Sequence, residues 1–283
     1  MRIVTLFAQY GTNKYPFALQ NLDQFFSKCL LGVDRHVVVI DNGLPEDYVE
    51  VIDNGTTVIG GSNSNWEFSA WDHGIAFLGA KITTFDFVHL ATSAFRTLYV
   101  GYLDLINPAM LDLVRGRAAV VGHVDNYNEP IELFGRVSQS WLRTSFVFLP
   151  PLEIQLLRSL VSITDGQGLF SSDPREPFRT DAPLSENYRA NIIGWLTRAG
   201  TGQGVQWHSR FDLTSATLGY FQMKALAIIN EHALSIRLRE RGCATVDVTW
   251  LANRTAELAS EGGGLGAIPD WREQLAERQF RKG

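Results

Sequence analysis

The sequence contains few cysteines, and they form no recognisable site. Only Cys29 and Cys243 occur among its 283 residues, and they lie far apart. Disulfide-stabilised secreted proteins carry many cysteines, and structural zinc sites carry closely spaced pairs of them. The sequence therefore excludes a disulfide framework and a thiolate zinc site. It favours two small buried side chains in a reducing compartment.

An excess of positive charge is also missing. The chain has 25 Lys and Arg against 30 Asp and Glu, so its formal net charge is −5. Proteins that bind DNA or RNA through the phosphates present a basic surface, so we expect no nucleic-acid partner. The hydrophobic fraction of 45% is that of an ordinary globular protein with a sizeable core.

Long apolar runs are absent as well. The first apolar stretch covers residues 3–8, which is too short for a signal peptide, and no run of eighteen apolar residues follows. We therefore predict a cytoplasmic protein without a membrane span.

The first half of the chain alternates strand patterns with helix patterns. Apolar or β-branched runs at residues 3–8, 36–40, 57–59 and 85–90 predict strands, and residues 66–78 predict a helix between the last two. A further short helix is predicted to begin at Pro45. This alternation predicts an α/β fold with a Rossmann-like, doubly wound sheet, whose ligands bind at the carboxyl ends of the strands.

The second half is less regular. Strand patterns at residues 118–121 and 144–149 extend the sheet with mixed direction, and residues 166–180 have the composition of a mobile loop. Four further helical patterns follow, at residues 185–195, 221–241, 251–258 and 271–280. We predict a first domain of residues 1–212 and a helical C-terminal subdomain of residues 213–283.

Three segments together resemble the opening half of an enzyme family. They read VVVIDNG (37–43), GGSNSNWEFSAWDHGIAFLGA (60–80) and FDFVHLATSAF (85–95). Their order and spacing are similar to those of GT-A glycosyltransferases of the family 2-like and rhamnan-synthesis type, over residues 1–115. The resemblance implies a GT-A fold and the transfer of a sugar from a nucleotide-sugar donor to a glycan or lipid-linked saccharide acceptor.

The resemblance also implies site residues. Asp41 would contact the nucleobase, residues 63–72 would lie beside the nucleotide, and Thr92-Ser93 would occupy the place of the family's Asp-x-Asp element. Tyr10 would lie against the base. Together with the phosphate donors discussed below, the predicted substrate-binding residues are Ala8, Gln9, Tyr10, Asp41, Asn42, Asn65, Trp71, Asp72, Thr92, Ser93, Arg96, Arg143 and His208.

The chain lacks an Asp-x-Asp element altogether. Its expected position offers the imidazole of His89 and the hydroxyls of Thr92 and Ser93, whereas Mg²⁺ and Mn²⁺ prefer carboxylate oxygens. Trp71 stands where the family commonly has an arginine near the diphosphate. The sequence therefore assigns no certain metal and leaves Mg²⁺ or Mn²⁺ open.

Without a metal, protein groups must stabilise the charge of the leaving phosphate. The candidates are cationic or polar side chains and the backbone N–H groups at the start of the helix after Asn65. The side chains are His89, Arg96, Arg143, His208 and Arg210.

A base must accept the proton of the acceptor hydroxyl, and three carboxylates are candidates: Glu186, Asp125 and Asp181. Glu186 has an ordinary alternative role, since an acid in the first turn of a helix is favoured by the helix dipole. Asp41 likewise suits a plain Asp-Asn-Gly turn, and Ser93 a strand-end turn.

Three functions remain open from the sequence. The first is an inverting, metal-independent glycosyltransferase, and the second is a nucleotide- or glycan-binding protein that kept the fold and lost transfer. The third is a sugar nucleotidyltransferase, for which the expected Gly-rich basic loop after the first strand is poorly matched by residues 9–14.

Overall fold

The fold was analysed in a computed structural model that describes residues 1–10, 13–97, 100–197 and 211–280. Within these ranges the chain forms eight strands and eight α-helices. The strands are β1 (Arg2–Gln9), β2 (Asp34–Asp41), β3 (Val49–Val51), β4 (Thr56–Gly60), β5 (Phe87–Thr92), β6 (Ala119–Leu133), β7 (Arg136–Leu149) and β8 (Ala244–Asp247). The helices are α1 (Ala18–Cys29), α2 (Trp66–Leu78), α3 (Pro108–Asp112), α4 (Pro151–Leu157), α5 (Glu186–Leu196), α6 (Leu218–Glu240), α7 (Val248–Glu261) and α8 (Trp271–Phe280).

All eight strands belong to one mixed sheet, in the order β3-β4-β2-β1-β5-β7-β6-β8. The pairs β1–β2, β1–β5, β2–β4 and β6–β8 are parallel, whereas β3–β4 and β5–β7 are antiparallel. The predicted α/β class with a Rossmann-like mixed sheet is confirmed.

Helices cover both faces of the parallel part of the sheet. Phe25 of α1 packs in the same buried cluster as Phe7 of β1. Leu6 points to the other face, where it meets Gly74 of α2 so closely that a Cβ atom there would lie 3.1 Å from the leucine side chain. Because side chains alternate along β1, helix α1 packs on one face of the sheet and helix α2 on the other.

The chain divides into two compact units. The first contains Met1–Asp125, Leu142–Leu160 and Arg237–Gly283, and the second contains Asn126–Trp141 and Val161–Ile236. Both units draw on separate stretches of sequence, and helix α6 contributes to each. The predicted boundary after residue 212 separates two continuous segments of the sequence, and it stays a prediction.

The core of the second unit is rich in aromatic side chains. Tyr127, Trp141, Tyr188 and Trp195 are buried around His232. The Nδ1 atom of His232 lies 3.1 Å from the hydroxyl of Tyr127 and 2.6 Å from that of Tyr188. The two hydroxyls and Nδ1 of His232 therefore have partners inside an apolar core, as is typical of buried polar groups.

The edge of the sheet at β8 is covered by a side chain of α8. Gln274 is fully buried, its Oε1 accepts the N–H of Asp247 at 2.7 Å, and its Nε2 donates to the carbonyl of Thr245 at 2.8 Å. The amide thus replaces a neighbouring strand and blocks pairing with another chain at this edge.

Two features of the fold differ from the predictions. The short helix expected at Pro45 is wrong, because residues 45–48 form a turn that leads into the edge strand β3. The C-terminal segment was predicted as helical only, and it also supplies β8. No helix in the described parts of the chain is long and apolar enough to cross a membrane.

Replacing Gln274 tests the role of its amide at the sheet edge. Gln274→Ala leaves a buried N–H and a buried carbonyl without partners, so we expect the free energy of unfolding to fall by about 1–3 kcal/mol. Urea unfolding measures this loss. Glu273→Ala on the exposed face of the same helix is the control and should change stability by less than about 0.5 kcal/mol. Equal effects would contradict the assignment.

Candidate functional site

The carboxyl ends of the parallel strands meet at one edge of the first unit. Strand β1 lies between β2 and β5, because the chain builds β2 and β4 on one side of β1 and then returns to place β5 on the other. In open α/β sheets such a reversal of strand order leaves a crevice where ligands bind. The edge formed by the ends of β1, β2, β4 and β5 is called the polar edge below.

Polar side chains join the ends of β1 and β2. Gln9 is paired with Asp41 in the sheet, and its Nε2 donates to Oδ2 of Asp41 at 2.9 Å. The other carboxylate oxygen accepts the N–H of Gly43 at 2.8 Å. These two bonds fix the orientation of a half-buried carboxylate at the end of a strand, where sequence analysis predicted the nucleobase contact.

On the other side of β1, Ser93 joins the ends of β1 and β5. Its Oγ accepts the N–H of Tyr10 at 3.1 Å, and its N–H donates to the carbonyl of Ala8 at 3.1 Å. The side chains of Ala8, Thr92 and Ser93 are buried. Of the predicted residues here, Tyr10 is the one with a partly exposed side chain, and its ring lies edge to face with Tyr15 at 5.8 Å.

Asn42 ties the end of β2 to the start of α2. Its Nδ2 donates to Oδ1 of Asn63 at 3.2 Å and to the carbonyl of Trp66 at 3.4 Å. A side chain at position 61 would collide with it, since a Cβ on Gly61 would lie 2.3 Å from Oδ1 of Asn42. Asn65, which precedes the helix, donates its N–H to Oγ of Ser69 at 3.0 Å.

Two residues of α2 predicted as ligand contacts have partners within the fold. Trp71 is fully buried, and its Nε1 donates to the carbonyl of Leu6 at 3.1 Å. Both carboxylate oxygens of Asp72 accept hydrogen bonds, from the hydroxyl of Ser159 at 2.5 Å and from the N–H of Leu160 at 2.7 Å. Trp71 therefore anchors α2 on the sheet, and Asp72 fixes the chain after α4.

His89 is a further correction, because its ring lies inside the core. Its Nδ1 is 3.1 Å from the hydroxyl of Thr5, and the ring stacks on Phe148 at 4.4 Å. Burial holds the pKa of His89 well below its ordinary value. A neutral, fully buried imidazole does not serve as a phosphate donor.

The charge of Arg96 acts on Asp104. The hydrogen bond and charge of Lys28, together with the more weakly acting charge of Arg96, hold the pKa of Asp104 below its ordinary value. Lys28 lies at the C-terminal end of α1 and is 3.0 Å from Asp104. Since α1 runs back from the end of β1 to the start of β2, the pair of Lys28 and Asp104 is at the opposite edge of the sheet, and the contact predicted for Arg96 stays a prediction.

Arg143 and Asp125 do meet, and they lie beyond the end of β5. Strand β7 runs antiparallel to β5 and pairs Phe146 with Ala91, so Arg143 is three residues past that pair, on the side of the polar edge. Its Nε donates to Oδ2 of Asp125, and Oδ1 of Asp125 lies 3.4 Å from Nε2 of His123. We call His123, Asp125 and Arg143 the charged cluster.

Within the charged cluster, His123 and Arg143 determine the protonation of Asp125. Burial alone would raise the pKa of Asp125, but the hydrogen bond from His123 and the positive charge of Arg143 outweigh it and hold the pKa well below its ordinary value. The ring of Tyr102 stacks on that of His123 at 4.9 Å. His123 was not among the predicted site residues, although a histidine two residues before a candidate carboxylate on a strand shares its face.

The other two candidate bases belong to the second unit. Glu186 is an exposed residue in the first turn of α5. Asp181 is exposed and forms two hydrogen bonds with Arg179, at 2.8 and 2.7 Å, which lower its pKa. His208 and Arg210 lie outside the described residues.

The residues at the polar edge do not fit a divalent cation. The place of the Asp-x-Asp element holds the buried hydroxyls of Thr92 and Ser93 and offers no carboxylate. Mg²⁺ and Mn²⁺ need several oxygen ligands, with carboxylates among them. In the described ranges no group of three His, Cys, Asp or Glu side chains is placed to hold a metal ion.

No protein-family model matches this chain, and no curated protein matches it significantly. The chemistry of the site is therefore the evidence for its function.

The ion pair of Asp125 gives a pH-dependent prediction. A lowered pKa in the folded state stabilises the fold fully above the ordinary Asp pKa of about 4, and this stabilisation is lost as the pH falls towards the folded-state value. We expect Asp125→Asn to lower the free energy of unfolding by about 1–3 kcal/mol at pH 7. The difference from the wild type should shrink between about pH 4 and pH 2, as measured by denaturant unfolding at each pH.

The control for this measurement is Asp112→Asn. Asp112 forms an exposed ion pair with Arg115 at 3.2 Å, so its loss should change stability by less than about 1 kcal/mol at any pH. A difference between Asp125→Asn and the wild type that stayed constant down to pH 2 would argue against the ion pair.

Proposed function

We propose that this protein is a glycosyltransferase of the GT-A type, which transfers a sugar from a nucleotide-sugar donor to a glycan or lipid-linked saccharide acceptor. The observation that carries the proposal is the polar edge, where Gln9, Asp41, Asn42 and Ser93 join three strand ends at the point where strand order reverses. Catalytic activity, donor and acceptor are all part of the proposal.

The polar edge suits the two halves of a nucleoside diphosphate. A carboxylate fixed by Gln9 and Gly43 can accept hydrogen bonds from the N–H groups of a nucleobase. The start of α2 is held beside it by Asn42, and the N-terminus of a thirteen-residue helix attracts phosphate through its N–H groups and its dipole. We place the base against Asp41 and the diphosphate towards α2.

The charged cluster suits the acceptor side. In the transfer, the acceptor hydroxyl oxygen bonds to the anomeric carbon while the bond from that carbon to the diphosphate breaks, and the diphosphate leaves with the electron pair. The hydroxyl proton passes to a base. Asp125 is the one of the three candidate bases that belongs to the same unit as the polar edge. Its lowered pKa keeps it ionised, so the carboxylate can orient the hydroxyl and accept its proton as the new oxygen–carbon bond forms.

We propose that no divalent cation takes part in the transfer, because the end of β5 offers hydroxyls where a metal needs carboxylates. Arg143 is the predicted phosphate donor that lies at this side of the sheet, and it supplies positive charge close to Asp125. The leaving diphosphate would then be stabilised by fixed protein charges and N–H groups.

Nucleotide binding is the first test. UDP, GDP, CMP and dTDP are added singly, with and without Mn²⁺, and the melting temperature is recorded, since a ligand of the native state raises it. We expect one nucleotide to raise the melting temperature independently of the metal. Asp41→Asn should weaken that nucleotide about tenfold or more, because a hydrogen bond to a charged group contributes about 1.5–3 kcal/mol.

Asp47→Asn is the matched control, since Asp47 is exposed on the turn after β2. It should bind the nucleotide as the wild type does. If no nucleotide binds, or if Asp41→Asn binds as tightly as the wild type, the donor site is not at the polar edge.

Sugar transfer is the second test, and it separates the candidate bases. With the donor identified by binding, we expect Asp125→Asn to lower kcat by about 10²- to 10⁴-fold, the usual contribution of acid–base catalysis. Glu186→Gln should stay close to the wild type, because Glu186 is an exposed acid in the first turn of a helix. The reverse order of effects would move the base to Glu186.

A second candidate function is a protein that binds a nucleotide or glycan without transfer. The hydroxyl of Ser93 holds β1 and β5 together in the place where GT-A glycosyltransferases have metal-binding carboxylates. This difference favours a binding protein without transfer activity. Nucleotide binding that depends on Asp41, without transfer or hydrolysis of any nucleotide sugar, would identify this function.

A further inference from the structure

The helix α8 reaches the backbone next to the charged cluster. Arg278 of α8 donates through one nitrogen, Nη1, to the carbonyl of Val124 at 3.2 Å and to Oδ2 of Asp247 at 2.8 Å. The same oxygen of Asp247 accepts the N–H of Val124 at 3.1 Å. The backbone N–H and carbonyl of Val124 are therefore bound by the side chains of Asp247 and Arg278. Val124 lies in the sequence between His123 and Asp125.

These bonds continue the pairing of β6 beyond the end of β8. The strands pair in register up to Gly122 and Asp247, and the chain of β8 then turns into α7. From that point the carboxylate of Asp247 and the guanidinium of Arg278 take the place of a neighbouring strand. Without these two side chains, the backbone of Val124 would lose these hydrogen bonds, and such segments open locally more readily.

The ion pair is well placed to hold a fixed geometry. The side chain of Asp247 is fully buried and that of Arg278 is 15% exposed. Oδ1 of Asp247 also accepts the N–H groups of Thr249 and Trp250, at 3.0 and 3.1 Å, and so caps α7. A charged bond shielded from water is stronger and more directional than an exposed one.

We propose that Arg278 is a positioning residue for the charged cluster. It holds the backbone at Val124 so that Asp125 stays aligned with Arg143 and with the acceptor hydroxyl. This inference rests on the proposed transferase function. The C-terminal helix then contributes to turnover without touching either substrate, and its effect falls on the chemical step and not on donor binding at Asp41.

Three variants test the proposal. Arg278→Ala removes the hydrogen bonds to the carbonyl of Val124 and to the carboxylate of Asp247. Arg278→Lys keeps a positive charge that can reach one or both of these acceptors. Arg272→Ala is the matched control on the same helix, since the side chain of Arg272 is 62% exposed and pairs with Asp270 at 3.3 Å. Circular dichroism and unfolding confirm that each variant is folded.

Steady-state kinetics give the first readout. We expect Arg278→Ala to lower kcat about 10- to 100-fold with the donor KM within about twofold of the wild type, because small misplacements of a catalytic group have effects of that size. Arg278→Lys should recover most of the loss, and Arg272→Ala should match the wild type. A folded Arg278→Ala with wild-type kcat, or with a raised donor KM alone, overturns the proposal.

Amide hydrogen exchange gives a second readout that needs no activity. Arg278→Ala should speed exchange in the peptide that covers residues 122–126 and leave exchange in β1 unchanged. Unchanged exchange at residues 122–126 overturns the proposal even if kcat falls. If the wild-type chain transfers no sugar, the proposed function fails, and the exchange comparison alone decides whether Arg278 holds Val124.

Discussion

Strand β1 is hydrogen-bonded to β2 on one side and to β5 on the other, and the register of these pairings sets the position of every group at the polar edge. Gln9 pairs with Asp41, and Ala8 pairs with Thr92. Since side chains alternate along a strand, a slip of one residue in either pairing would turn Gln9 away from Asp41 or move Ser93 away from Tyr10. The buried alternation of β1, with Phe7 on one face and Leu6 on the other, specifies that register.

The same unit has a second polar arrangement that depends on a side chain from a distant part of the sequence. Asp125, Arg143 and His123 come from β6 and β7, and the backbone between His123 and Asp125 is held by α8. The polar edge is fixed mainly by neighbouring strands, whereas the charged cluster needs the last helix of the chain. The C-terminal helix is therefore part of the structural support of the candidate site.

Much of the fold follows from local patterns in the sequence. Helix α2 has the predicted bounds, β1 lies at the first apolar run, and β2 and β4 lie where short apolar runs end in Asp or Gly. Strand β8 is only four residues long and is defined by its pairing with β6 and by the amide of Gln274, so no local pattern indicates it. The turn at Pro45 was predicted as a helix because proline and two acids are equally typical of a first helical turn.

The candidate site was predictable only in part, for a physical reason. Asp41 and Asn42 were predicted at the polar edge because the ends of parallel strands meet there whatever the side-chain packing. Trp71 was predicted as a ligand contact and lies in the core, because the sequence does not show which face of an apolar helix is turned inwards. The environment of Asp125 depends on three side chains whose meeting is a tertiary contact.

Amide chemical-shift mapping tests the central claim, that the polar edge is the nucleotide site, most directly. The nucleotide that stabilises the protein is titrated into isotope-labelled protein, and backbone N–H shifts are followed. The account predicts the largest shifts at the ends of β1, β2 and β5 and at the first turn of α2, around Gln9, Asp41, Ser93 and Trp66. Shifts confined to the second unit or to the opposite edge of the sheet would contradict it.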